Sequence, residues 1–114
     1  MPDVVIPDAS CLIVLDKVGE IDLLRRLYTN IFTTDEVAKE FGKSLPSWIG
    51  IRSPKNDKYV IVLTAIVDPG EASAIALSLE CDDPLLIVDD LKARKLAERL
   101  GLTFTGTLGI LVKS

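Results

Sequence analysis

Two kinds of apolar pattern alternate along the chain. Val4, Val5 and Ile6, closed by Pro7, and later Leu85 to Val88, are continuous apolar runs. Such runs suit strands buried on both faces of a parallel sheet. Between them the apolar positions recur at helical spacing. Leu12, Ile13 and Leu15, then Ile21, Leu23, Leu24 and Leu27, predict two short helices broken at Gly19. Ile31 to Thr33 predicts a second strand, and Thr34 or Asp35 caps a helix with Val37, Ala38 and Phe41 inward and Gly42 at its end.

Trp48 to Arg52 reads as a brief extended piece, followed by a polar turn through Pro54 to Asp57. Tyr59 to Val67 is β-branched enough for a strand, but Tyr59, Val62, Leu63 and Ile66 also fit i, i+3, i+4, i+7 and tilt the reading to helix. Asp68, Pro69 and Glu71 form a helix start with cap, first-position Pro and third-position Glu; that helix runs to about Leu79. Lys92 to Leu100 predicts an amphipathic helix stopped by Gly101, Leu102 to Thr105 a last strand, and Thr107 to Val112 a final helix. Strands alternating with helices of about ten residues predict an α/β fold, with a mostly parallel sheet of about four or five strands flanked by helices. No linker or repeat divides residues 1–114, so one domain is expected.

Composition narrows the chemistry. With 48% apolar residues and a net charge of -4, from 13 basic and 17 acidic side chains, the chain has material for one core but not for a broad basic surface. It contains no His, so acid, base and ligand roles fall to carboxylates, hydroxyls, Lys or Cys. Cys11 and Cys81 are far apart and form no CxxC, which argues against a zinc site or a disulfide. No leader pattern is visible, and no apolar run approaches the ~20 residues of a membrane span. A cytoplasmic, non-membrane protein is expected.

In open α/β sheets, ligands bind beyond the carboxyl ends of the strands where the strand order reverses. Asp8, Asp89 and Asp90 fall at such ends. Carboxylates ~4 Å apart at an effective dielectric of ~20 repel by about 4 kcal/mol per pair. Separation, protonation or a divalent cation must relieve this, and a His-free, all-oxygen site suits Mg²⁺ or Mn²⁺.

Each residue also has a plainer role. Asp8 serves equally well as the cap of the first helix. One of Asp89 and Asp90 suffices to cap the Lys92 helix. Glu71 fits a capping box so well that the box is its first reading. Glu40, beside Asp35 and Glu36, is by default on a solvated face. Ser10 and Thr107 read as helix-start hydroxyls, and Trp48 as core rather than a stacking platform. Lys92, Arg94, Lys95 and Arg99 give one helix a basic face, either for solubility or as a local phosphate-facing patch.

Taken in order, these stations resemble a known family. The opening Val-Val-Ile-Pro-Asp-Ala-Ser-Cys-Leu-Ile, the Val37-Ala38-Lys39-Glu40 helix, the Gly70-Glu71-Ala72-Ser73-Ala74-Ile75-Ala76-Leu77 segment and the Leu-Leu-Ile-Val-Asp-Asp-Leu-Lys-Ala-Arg run are similar to PIN-domain nucleases, and within them to VapC-like toxins. The likeness spans Val4 to about Leu111. It implies catalytic roles for Asp8, Glu40, Glu71 and Asp90, metal ligands among Asp8, Glu71, Asp89 and Asp90, and a supporting Ser10. Asp90 fits the family's Thr-x-Asp register better than Asp89, with Val88 in place of the hydroxyl residue. The resemblance further implies a Mg²⁺- or Mn²⁺-dependent endoribonuclease acting as a toxin, with RNA as substrate, a cognate antitoxin protein as partner and a homodimer as a further expectation.

Many relatives continue past the Gly-Thr-Leu-Gly segment, so shortened C-terminal helices are expected. They keep a second reading open, an inactive or weakly active interaction module of the same fold. A phosphoacceptor receiver domain would need its acidic pair after the first strand and a Lys after the last. Here the pair comes late, and no Lys lies between Gly101 and Val112.

Overall fold

The structure, a computed structural model, describes residues 2–113. Five strands form one sheet in the order β3-β2-β1-β4-β5: β1 (Val4–Pro7), β2 (Ile31–Thr33), β3 (Ile49–Ile51), β4 (Pro84–Ile87) and β5 (Thr103–Thr105). Every pairing is parallel. The helices are α1 (Ala9–Lys17), α2 (Leu23–Leu27), α3 (Asp35–Phe41), α4 (Asp57–Leu63), α5 (Pro69–Leu79), α6 (Leu91–Arg99) and α7 (Thr107–Lys113). The chain winds from β1 toward β3 in one direction and from β4 to β5 in the other. After β5 the chain turns back, and α7 packs against α1 and α2 of the first half.

The apolar runs explain the centre of the sheet. All of β1 and the last three residues of β4 are buried, and the two strands run in step from Val4 beside Pro84 to Pro7 beside Ile87. Pro7 has no N–H to give to a ladder, but it is the last residue of its strand. Its carbonyl accepts the Thr33 hydroxyl of β2 at 2.9 Å. Ile6, Leu12, Leu15, Leu24, Ile75, Leu77, Leu86, Ile87 and Ile110 are fully enclosed, each contributing about 1.5–3 kcal/mol through burial. Helix α5 is buried on nearly every side from Gly70 to Ser78 and lies against β1, β4, α3, α4 and α6. Its small Ala72, Ala74 and Ala76 permit that close approach. A helix enclosed all round shows no apolar stripe, so its capping box was the signal that located it.

The ambiguous middle resolves into a strand and a helix. Ile49–Ile51 joins the sheet as the β3 edge, and Tyr59 lies in α4. The Asn56 side chain accepts the Tyr59 N–H at 3.0 Å, and Glu80 accepts the Lys55 and Asn56 N–H groups. The expected apolar face is only half right: Leu63 is buried and Tyr59 half-buried, whereas Val62 and Ile66 are exposed. Gly42 ends α3 at φ 76, a left-handed conformation open to glycine without steric cost. Cys11 and Cys81 are both free. Burial pushes the Cys11 thiol up to about 12, leaving it protonated and inert. Among the described residues, no helix is long and apolar enough to cross a membrane.

Candidate metal centre

The strand order reverses between β1 and β4, and the acids gather at that edge. Asp8 follows β1 directly and its N–H donates to the Ile87 carbonyl at 2.9 Å, which fixes it level with the end of β4. Its backbone is extended at the N-cap of α1, but its side chain makes no capping hydrogen bond. Of the two roles open to Asp8 in the sequence, the cap is therefore not the one its carboxylate performs. The residue is only 3% exposed, and Oδ1 has no hydrogen-bond partner. Burial, reinforced by the charges of Glu71, Asp68 and Glu40, raises the Asp8 carboxyl from 3.8 to about 7, although the Ala9 N–H pulls the other way. A buried acid with an idle oxygen and acidic neighbours is short of positive charge.

Glu71 completes the capping box and still belongs to the cluster. Its Oε1 accepts the Asp68 N–H at 3.1 Å while Asp68 Oδ1 accepts the Glu71 N–H at 2.8 Å. Burial, then the charges of Asp68, Asp90 and Glu40, raise Glu71 to about 7, against the lowering effect of the Asp68 N–H. Cap and cluster are thus not alternatives here, because the first turn of α5 points into the acidic edge.

Glu40 reaches the cluster from α3. Desolvation first, then Asp68, raises its carboxyl, while the Gly70 N–H acts in the opposite sense. The Glu40 carboxylate lies so close over Gly70 that a side chain there would collide with it. A hydroxyl chain supports this approach. The Val37 N–H donates to Thr34 Oγ1 at 3.1 Å, Thr34 and Ser73 share a 2.6 Å bond, and the Ser73 hydroxyl donates to the Gly70 carbonyl at 2.8 Å. Thr34, the cap of α3, is thereby tied to the first turn of α5.

The two aspartates after β4 separate in role. Asp90 caps α6, with Oδ2 accepting the Ala93 N–H at 3.0 Å, and its charge is felt at Glu71. Asp89 uses both oxygens on Thr107, accepting its N–H at 2.7 Å and its hydroxyl at 2.6 Å. It therefore fastens the start of α7. Ser10 sits half-buried in the first turn of α1.

Asp68 is the acid that the sequence reading passed over, because its cap role accounted for it. Its charge acts on Asp8, Glu40 and Glu71 alike. The signal was the capping box itself, which binds Asp68 to whatever site Glu71 serves.

The cluster is gathered but not closed. Among the described residues, no three carboxylate or thiol side chains converge into a ready ion cage. The donors are nevertheless all oxygens, Asp8, Glu40, Glu71 and Asp90 form no ion pair with Lys or Arg among the described residues, and Asp8 Oδ1 is buried without a partner. These properties fit a hard divalent ion. No curated protein matches the chain. A family model described as a PIN domain matches residues 4–114, and the chain belongs to the PIN-domain family, whose members are generally nucleases that use divalent metals.

Proposed function

We propose that this PIN-domain chain is a Mg²⁺- or Mn²⁺-dependent endoribonuclease that hydrolyses RNA phosphodiesters and serves as the toxin of a toxin-antitoxin pair. The observation that carries the metal-dependent reading is Asp8: a buried carboxyl at the reversal of strand order, with an unpartnered oxygen and three acidic neighbours. Asp8 and Asp90 would hold the ion directly or through water. Glu40 and Glu71 would hold or orient its hydration shell, and Ser10 would support Asp8 from the first turn of α1. A bound divalent ion would supply positive charge to offset negative charge on the phosphoryl group and would lower the pKa of water, so that hydroxide is available as nucleophile near neutral pH. The chain's own part is to fix the carboxylates on rigid helix starts and strand ends, so that their orientation is set before substrate arrives. No step needs a histidine.

Setting aside Asp8, Glu40, Glu71 and Asp90 from the 17 acidic residues leaves 13 against 13 basic ones. The excess acidity is numerically that of the proposed centre, which weakens the objection that an acidic protein makes a poor RNA enzyme. The toxin role and its antitoxin partner rest on the VapC-like motif order alone.

The reading is tested by titrating purified protein with Mn²⁺ in a calorimeter and by following metal-dependent cleavage of a panel of RNAs. Binding and cleavage that both disappear in Asp8→Asn are expected; absence of both in the wild type overturns the enzyme reading. A second reading, an interaction module of the same fold, is favoured by one observation: Glu71 and Asp90 each commit an oxygen to a helix cap, as Asp89 commits both to Thr107. It expects a cellular effect that survives Asp8→Ala with Asp90→Ala.

A further inference from the structure

Helix α6 leaves the acidic edge carrying a cationic strip. Asp90 is its cap, and Lys92, Lys95 and Arg99 follow at i, i+3 and i+7, one side of the helix. Arg94 lies apart from them, with its guanidinium 5.2 Å from the centre of the Phe104 ring on β5. Lys92, Lys95 and Arg99 form no ion pair among the described residues. Together with Ile66 and Leu96 they line a groove of about 180 Å³. Ile66 is 51% exposed, so the groove offers apolar surface between its cations.

Along the chain the groove lining adjoins two members of the acidic cluster. Ile66 lies two residues before Asp68, and Lys92 two residues after Asp90. From Lys92 to Arg99 the helix rises by about 10 Å at 1.5 Å per residue.

We propose that this groove is where single-stranded RNA is held beside the centre, its phosphates on Lys92, Lys95 and Arg99 and a ribose or base face on Ile66 and Leu96. The inference rests on the ribonuclease reading and adds to it the path of the substrate. Charge complementarity selects a polyanion on a protein of net charge -4. The apolar floor between cations selects a chain with a flat, weakly polar face next to each phosphate, which nucleotides have and an acidic polypeptide lacks. Glu98 is the acid on the same helix, and Asp68 and Asp90 bound the near end; the strip is cationic between them.

The test is fluorescence anisotropy of a labelled single-stranded oligoribonucleotide in EDTA, where cleavage cannot interfere, with salt varied. The variant replaces Lys92, Lys95 and Arg99 by Gln. A control of equal net charge replaces Lys17, Arg26 and Lys43 by Gln. The groove variant is expected to bind at least several-fold more weakly and to lose about 2 from the slope of log affinity against log salt, at ~0.7 per phosphate contact on a single strand. The control is expected to bind as wild type. Equal effects of the two triples, or an unchanged slope in the groove variant, overturn the proposal. Mn²⁺ calorimetry separates the two readings: a groove variant that keeps metal affinity but loses RNA affinity supports the groove. A wild type that binds RNA through the groove but neither binds metal nor cleaves removes the enzyme reading and leaves an RNA-binding surface.

Discussion

The hydroxyls of Thr34 and Ser73 meet at 2.6 Å inside the protein, 39 residues apart in sequence. Because Ser73 gives its single proton to the Gly70 carbonyl, Thr34 is the donor between them, and its remaining lone pair receives the Val37 N–H. One chain of bonds thus sets the cap of α3 against the first turn of α5, and with it the angle at which Glu40 reaches Glu71. Ser73→Ala leaves the Thr34 hydroxyl buried without an acceptor, at a cost of about 1–3 kcal/mol. Thr34→Ala loses the cap, about 1 kcal/mol, together with the cross-helix bond. In a denaturant double-mutant cycle the pair is expected to couple by at least about 0.5 kcal/mol. Strict additivity would show that the two helices are held independently.

Gly70 is the floor under the Glu40 carboxylate. Gly70→Ala suits a helix at least as well as glycine, and what it displaces is the mobile end of a side chain. The fold is therefore expected to persist with Tm unchanged or slightly raised, while Mn²⁺ affinity falls by about tenfold or more, the scale seen when groups that orient ligands are disturbed. Calorimetry on the variant decides it, and wild-type affinity would place Glu40 outside the centre.

The strands, the capping box and the acidic stations were legible because each is written in local sequence. β1 and β4 are unbroken apolar runs, and Asp68 with Glu71 is a box whose two bonds both form. What could not be read depends on contacts from afar. Whether Val62 and Ile66 face inward is decided by how α4 lies on α5, and both are exposed. Which of Asp89 and Asp90 turns to Thr107 is decided by β5 delivering α7 beside β4. The membership of Asp68 in the cluster was hidden for another reason: a residue with one sufficient role invites no second.

Asp89 and Asp90 can be told apart by opposite phenotypes. Asp89→Ala removes both acceptors of a buried Thr107, and a loss of about 1–3 kcal/mol in unfolding free energy is expected. Asp90→Asn keeps an oxygen for the Ala93 N–H, so its stability should change by less than about 1 kcal/mol while metal affinity falls. Urea melts beside Mn²⁺ titrations give both axes. A stable Asp89→Ala protein that has lost its metal would reverse the assignment.

Asp8 ties the proposed chemistry to stability through pH. Its carboxyl is raised from 3.8 to about 7, chiefly by burial. Between about pH 4 and pH 7 the folded protein keeps a proton that the unfolded chain has released. The unfolded state then binds fewer protons, so stability falls as pH rises through this window and stays reduced above it. Glu71, raised from 4.5 to about 7, acts in the same sense. Asp8→Asn removes the Asp8 part of this penalty. In metal-free buffer the variant is expected to melt within about 2 °C of wild type at pH 3 and at least about 4 °C above it at pH 8, given ~4–8 °C per kcal/mol for a small domain. Millimolar Mn²⁺ at pH 8 should raise the wild-type Tm by more than it raises that of the variant, because the variant lacks the most deeply buried carboxylate of the centre. A pH-independent difference between the two proteins, or equal stabilisation by Mn²⁺, would mean that the Asp8 carboxylate is not an uncompensated charge at the reversal of the sheet.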